Sequence, residues 1–102
     1  EIEQNTKHAY HLFNICLDEN KTSIKRDDFL NKMNENRIGV GVHYESIPTH
    51  PYYQKTFDWK PSDYPNALKF GNETVSIPIS PKLTDNELDK IISVTKNILS
   101  GK

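Results

Sequence analysis

Residues 8–17 (HAYHLFNICL) alternate, with Ala9, His11, Phe13, Ile15 and Leu17 on one side and Tyr10, Leu12, Asn14 and Cys16 on the other. A period of two predicts a strand with one buried face. The polar stretch DENKTS at 18–23 predicts a turn, after which Phe29, Leu30 and Met33 recur at helical spacing and predict a helix over 25–36. No glycine closes that helix, so Asn36, whose short polar side chain tolerates positive φ, is its expected left-handed cap. Ile38, Val40 and Val42 then alternate with Gly39, Gly41 and His43. They predict a second strand over 38–44, in which the glycines leave room for a close backbone or ligand.

From Glu45 to Ser62 the chain holds Pro48, Pro51 and Pro61 among Tyr52, Tyr53, Phe57 and Trp59. That is too broken by proline for a strand and too aromatic for a solvated linker, so a long loop is expected, of the kind that carries function. Ser62 or Asp63 as cap, Pro65 in the first turn and Gly71 as stop predict a short helix over 64–71. TVSIPIS at 74–80 predicts a third strand, with Pro78 marking an edge or an end. Thr84 and Glu87 form a capping box, with Leu83 and Leu88 at the staple positions. Leu88, Ile91, Ile92, Thr95, Ile98 and Leu99 continue as an apolar stripe and predict a helix over 85–99. The expected fold class is α+β, in the order β-α-β-loop-α-β-α, a small three-stranded sheet covered by helices.

Composition sharpens this picture. Leu, Ile, Val and Phe make up 25 of 102 residues and the formal net charge is −1, which argues against disorder. One domain is the limit at this length. An apolar fraction of 34% and a mean hydropathy of −0.76 leave either a thin core or one completed by contacts outside the chain, and the second is favoured. The chain starts at Glu1 without an initiator Met and reads as an excised piece. The eleven Lys and two Arg are scattered among acids, so no nucleic-acid footprint is expected. Apolar runs are too short for a membrane span. The lone Cys16 excludes an internal disulfide and fits a reducing compartment, the cytoplasm.

Candidate chemistry is sparse. His8 and His11 point to opposite faces of a strand and cannot chelate together there, so no metal site is expected, and His11 reads as a hydrogen-bonded histidine at a packed face. Cys16, mid-strand among apolar neighbours, reads as inert packing. No G-x-S-x-G, glycine-rich phosphate loop or paired-carboxylate pattern occurs. His43 and Tyr44 differ, because they end a glycine-rich strand where it opens into the aromatic loop. Imidazole and phenol there suit a phosphate, a sugar hydroxyl or a carboxylate. The same pair also reads as a structural strand end, and spacing alone leaves both readings open.

The ordered set H-x-Y-H-L-F (8–13), R-D-x-F (26–29), I-G-V-G-V-H-Y (38–44), H-P-Y-Y (50–53), D-Y-P-N-A (63–67), S-I-P-I-S-P (76–81) and L-T-D-x-E (83–87) resembles the C-terminal domain of the DegT/DnrJ/EryC1/StrS family. These are pyridoxal-phosphate sugar aminotransferases. The resemblance implies the small α+β domain of an aspartate-aminotransferase (fold type I) enzyme, occupying residues 1–102, with the large cofactor domain absent. It further implies amino transfer from glutamate to a keto sugar nucleotide, through a Schiff base of pyridoxal phosphate with a lysine, in homodimers whose sites lie at the subunit interface. None of the eleven lysines sits in the family's lysine motif, so no catalytic or cofactor-binding residue is expected here and the piece alone should be inactive. His43 and Tyr44 match the family's H-Y and are the implied substrate-binding residues, with the 45–53 loop as a wall. Ser46, Pro48, Arg37 and Leu68 depart from the family's pattern. The rival reading is a non-catalytic binding module that carries a ligand or nucleic acid on an aromatic sheet face. Tyr10 and Phe13 lie on opposite faces without a basic flank, which disfavours it.

Overall fold

The computed structural model describes residues 2–101. Strands β1 (Phe13–Cys16) and β2 (Thr74–Ile77) pair antiparallel, with Phe13 opposite Ile77, Asn14 opposite Ser76, Ile15 opposite Val75 and Cys16 opposite Thr74. Alternation sends Ile15, Val75 and Ile77 to the core face. There they meet helices α2 (Arg26–Glu35) and α5 (Asp85–Leu99). The buried apolar residues are Leu17, Phe29, Met33, Ile38, Val75, Ile91 and Ile98, with Ile24, Leu30, Val40, Leu83, Val94 and Leu99 packed around them. This is the expected α+β class.

Among the described residues the sheet has two strands, not three. The segment expected as a strand over 38–44 makes one antiparallel bridge, Gly41 with Ser76, through Gly41 N–H to Ser76 C=O (3.1 Å) and Ser76 N–H to Gly41 C=O (2.8 Å). Hydrogen-bonded rungs of an antiparallel ladder recur every second residue, so the next would join Gly39 to Pro78 and His43 to Thr74. Neither closes as a full rung. Pro78 has no N–H, and the Thr74 N–H is already bonded to the Phe70 carbonyl at the end of helix α4 (Pro65–Glu73). At the other edge β1 stops at Phe13, where its partner meets Pro78, so residues 8–12 lie outside the strand and His8 and His11 are exposed. Cys16 is exposed as well, which corrects the expectation of a packed thiol.

The expected loop over 45–62 is largely helical. A 3₁₀ turn spans Ile47–Thr49, helix α3 spans Pro51–Phe57 and a second 3₁₀ turn spans Pro61–Asp63. Pro48, Pro51, Pro61 and Pro65 each sit in the first turn of such an element, where the missing N–H would have no helical partner and the fixed φ already suits a helix. These prolines open helices rather than break them. The turn expected at 18–23 holds a short helix, α1 (Glu19–Thr22), capped by Asp18 accepting from the Asn20 N–H.

Two helix-end assignments change. Arg37, not Asn36, takes the left-handed conformation after α2, with φ 60°. Its N–H bonds the Asn34 carbonyl (2.8 Å) and the Ile38 N–H bonds the Met33 carbonyl (3.0 Å), while Ile38 and Met33 are both buried. This is the Schellman closure, usually a glycine's task. Gly71 does not stop α4; the helix continues to Glu73 and is preceded by Tyr64, while Ser62 and Asp63 make no side-chain cap. A Cβ at Gly71 would lie 2.7 Å from the Ser46 backbone nitrogen, so the glycine permits close approach of the chain leaving Tyr44. The Gly71 carbonyl, left without a helical partner near the end of α4, accepts from Arg26 Nη1 at 3.1 Å. Helix α5 has its expected bounds and capping box, but it buries Ile91 and Ile98 and leaves Leu88 and Ile92 exposed.

Replacing Arg37 by glycine relieves the Cβ strain of the left-handed region, partly offset by unfolded-state entropy, and should stabilise the fold by about 0.5–1 kcal/mol, read from the urea midpoint. Gly71→Ala should destabilise it by about 1–3 kcal/mol in the same assay, because the obstacle is backbone. The Glu87 carboxylate is held below its ordinary range, chiefly by the Thr84 backbone N–H and then by the Thr84 hydroxyl. A lowered folded-state value means the contribution is complete above the ordinary carboxylate range and is lost as pH falls through the folded value. Thermal midpoints should therefore fall less steeply on acidification in Glu87→Gln than in the parent.

Candidate functional site

β2 presents its second face to the site. Because both the N–H and C=O of Ser76 are committed to Gly41, its pairing with Asn14 across β1 is of the type without backbone hydrogen bonds, in which side chains approach most closely. The Ser76 hydroxyl donates to Asn14 Oδ1. His43, two residues beyond Gly41, turns its ring back over that glycine, and its Nδ1 lies 2.7 Å from Ser76 Oγ. A Cβ at Gly41 would sit 3.0 Å from His43 Cε1, so the glycine supplies the space that the ring uses. Asn14 Nδ2 closes the circuit by donating to the His43 carbonyl at 3.3 Å.

His43 is half-buried with its Nδ1 side turned into the sheet, and Tyr44 is 69% exposed with its ring edge-on to the imidazole at 4.9 Å. A cis peptide bond joins the two residues. The arrangement is one anchored imidazole beside one free phenol, suited to hydrogen bonding a polar ligand and to packing against its ring. Beyond it, Tyr53 stacks on Trp59 (5.5 Å, 19° between planes), Phe57 stacks on Tyr53 (6.1 Å) and Tyr64 closes on Trp59 (5.2 Å). His50 packs edge-on to Tyr53 and is exposed.

The other histidines stand apart from this site. His8 Nδ1 accepts from the Tyr10 N–H (2.8 Å), and His11 is exposed rather than packed. Among the described residues no three His, Cys, Asp or Glu side chains gather as metal ligands, and no helix is long and apolar enough to cross a membrane. All ten described lysines are exposed. Sequence reasoning singled out His43 and Tyr44 and gave Asn14 and Ser76 no functional role. Their signals were a lone amide inside HLFNICL and a small hydroxyl inside an otherwise apolar strand, polar residues that need partners wherever they are enclosed.

Comparison with known proteins adds the family. Residues 1–96 match the DegT/DnrJ/EryC1/StrS aminotransferase family. The chain is 34% identical over 101 residues to the spore coat polysaccharide biosynthesis protein SpsC of Bacillus subtilis (strain 168), covering 98% of this chain and 26% of that protein. It is also 34% identical over 99 residues to the uncharacterized protein MJ1066 of Methanocaldococcus jannaschii, covering 97% of this chain and 26% of that one. It thus spans about a quarter of the length of these relatives. With the ordered motifs, the helices that carry them and a match over nearly all its length, the chain belongs to the DegT/DnrJ/EryC1/StrS aminotransferase family.

Proposed function

We propose that this chain is the small C-terminal domain of a sugar-nucleotide aminotransferase of the fold type I class. The intact protein would move an amino group from glutamate to a keto sugar nucleotide, as a cytoplasmic homodimer, in amino-sugar or polysaccharide biosynthesis. The observation that carries this reading is the family match over residues 1–96, and the likeness to SpsC, a spore coat polysaccharide biosynthesis protein, supports the polysaccharide context. The shape is consistent with a part that rests on further protein. Its radius of gyration is 16.0 Å, against about 13 Å for a compact body of this length.

Pyridoxal phosphate, the group that such enzymes use, supplies an electron sink for carbanion chemistry. The described residues do not fit it. A Schiff-base lysine has to be held within a pocket, and every described lysine extends into solvent. In this proposal the rest of the intact protein holds the cofactor. The share of this chain is to bind and orient the sugar nucleotide through His43 and Tyr44, with the helical 45–63 segment beside them.

The test is an absorbance spectrum after adding pyridoxal phosphate. The intact protein should show a band that borohydride abolishes, and the 102-residue chain alone should show none and turn over no substrate. No such band in the intact protein, or a full band in this chain alone, refutes the proposal.

A further inference from the structure

His43 does not choose freely which nitrogen carries its proton. Asn14 Nδ2 donates to the His43 carbonyl, which turns the amide so that its oxygen faces Ser76. An amide oxygen only accepts, so the Ser76 hydroxyl proton goes to Asn14. Ser76 Oγ then has only lone pairs to offer, and the atom 2.7 Å away is His43 Nδ1, which must be the donor. A neutral imidazole has one N–H, so its lone pair lies on Nε2.

We infer that Asn14 and Ser76 are positioning residues that hold neutral His43 as the Nδ1–H tautomer and present Nε2 as an acceptor, so that the site selects a hydrogen-bond donor, such as a sugar hydroxyl, at that point of its ligand. The sugar rests on the proposed function; the tautomer rests on the network alone. Three features make the assignment firm. Ser76 is only 6% exposed, so water does not readily replace its partners. Asn14 and Ser76 are fixed opposite one another by strand register rather than by flexible side chains. Gly41 leaves the ring its place over the sheet, and a side chain there would push the imidazole away from Ser76. A phosphate, which only accepts, finds no donor on Nε2 while the ring is neutral.

The decisive measurement is the pair of imidazole nitrogen shifts in the intact protein labelled with ¹⁵N-histidine, with His43 identified by the signals lost in His43→Gln. Spectra are taken near pH 9, above the ordinary histidine value of about 6.5. The wild type should show a pyrrole-like Nδ1 and a pyridine-like Nε2. Ser76→Ala should mix the two forms and Ser76→Thr should restore them. A pyridine-like Nδ1 in the wild type overturns the inference, and that reading needs no substitution to fold. A second arm titrates UDP-glucose and dTDP-glucose against UDP and dTDP. Ser76→Ala should weaken the sugar nucleotides by about threefold to tenfold, the loss of one well-made hydrogen bond, and leave the free nucleotides unchanged. Equal weakening of both overturns the donor selection. Wild type that shows the inferred tautomer but binds none of the four ligands refutes the proposed function and leaves the positioning of His43 standing.

Discussion

β2 has neighbours on both edges, and the remaining architecture follows from how that short strand is shared. It begins one residue after α4 ends, with Thr74 still bonded to the last turn of the helix, and it runs out at Pro78. Between those limits Ser76 gives its backbone to Gly41 and its side chain to Asn14 and His43. The core face of the strand anchors α2 and α5 through Val75, and the opposite face holds the imidazole. A sheet so narrow cannot slip register without losing both faces at once.

What was legible in the sequence divides by the range of the interactions. The capping box of Thr84 and Glu87 and the spacing of Phe29, Leu30 and Met33 are complete within one helix, and the α5 and α2 bounds followed from them. The strand expected over 38–44 is reduced to one bridge because its rungs depend on donors decided elsewhere: Phe70 claims one and Pro78 lacks the other. Arg37 shows a different limit. Side-chain preference pointed to Asn36, yet the burial of Ile38 against Met33 placed the reversal one residue later. Pro48, Pro51 and Pro61 break a strand pattern by their spacing, and only their place in the first turn of each element shows that they open helices. At the site, the end of a glycine-rich strand pattern and motif likeness both point to His43 and Tyr44, while a separation of 62 positions between Asn14 and Ser76 hides their contact from any local pattern.

Among the described residues seven buried apolar side chains form a small core, so single polar ties carry weight beyond their number. Arg26 illustrates this. It joins the start of α2 to the end of α4, meeting a carbonyl that the helix leaves free, and it also bonds Asp27. The exposed ion pair of Lys21 with Asp18 adds little by comparison, since solvent screens it. Asp18, Arg26 and Glu87 each finish a helix end.

The stretch from His50 to Tyr64 carries its own packing, with Tyr53, Phe57, Trp59 and Tyr64 stacked on one another rather than on the sheet. It meets α4 through the 3₁₀ turn at Pro61–Asp63, and the chain just before it meets α4 through the turn at Ile47–Thr49 and where Ser46 closes on Gly71. Such a segment behaves as a cassette. Its aromatic pile is separate from the imidazole anchor, which is held on the other side of Tyr44 by Ser76 and Asn14. On the proposed reading, a preference for one sugar over another is set in this segment, apart from the scaffold that presents the imidazole.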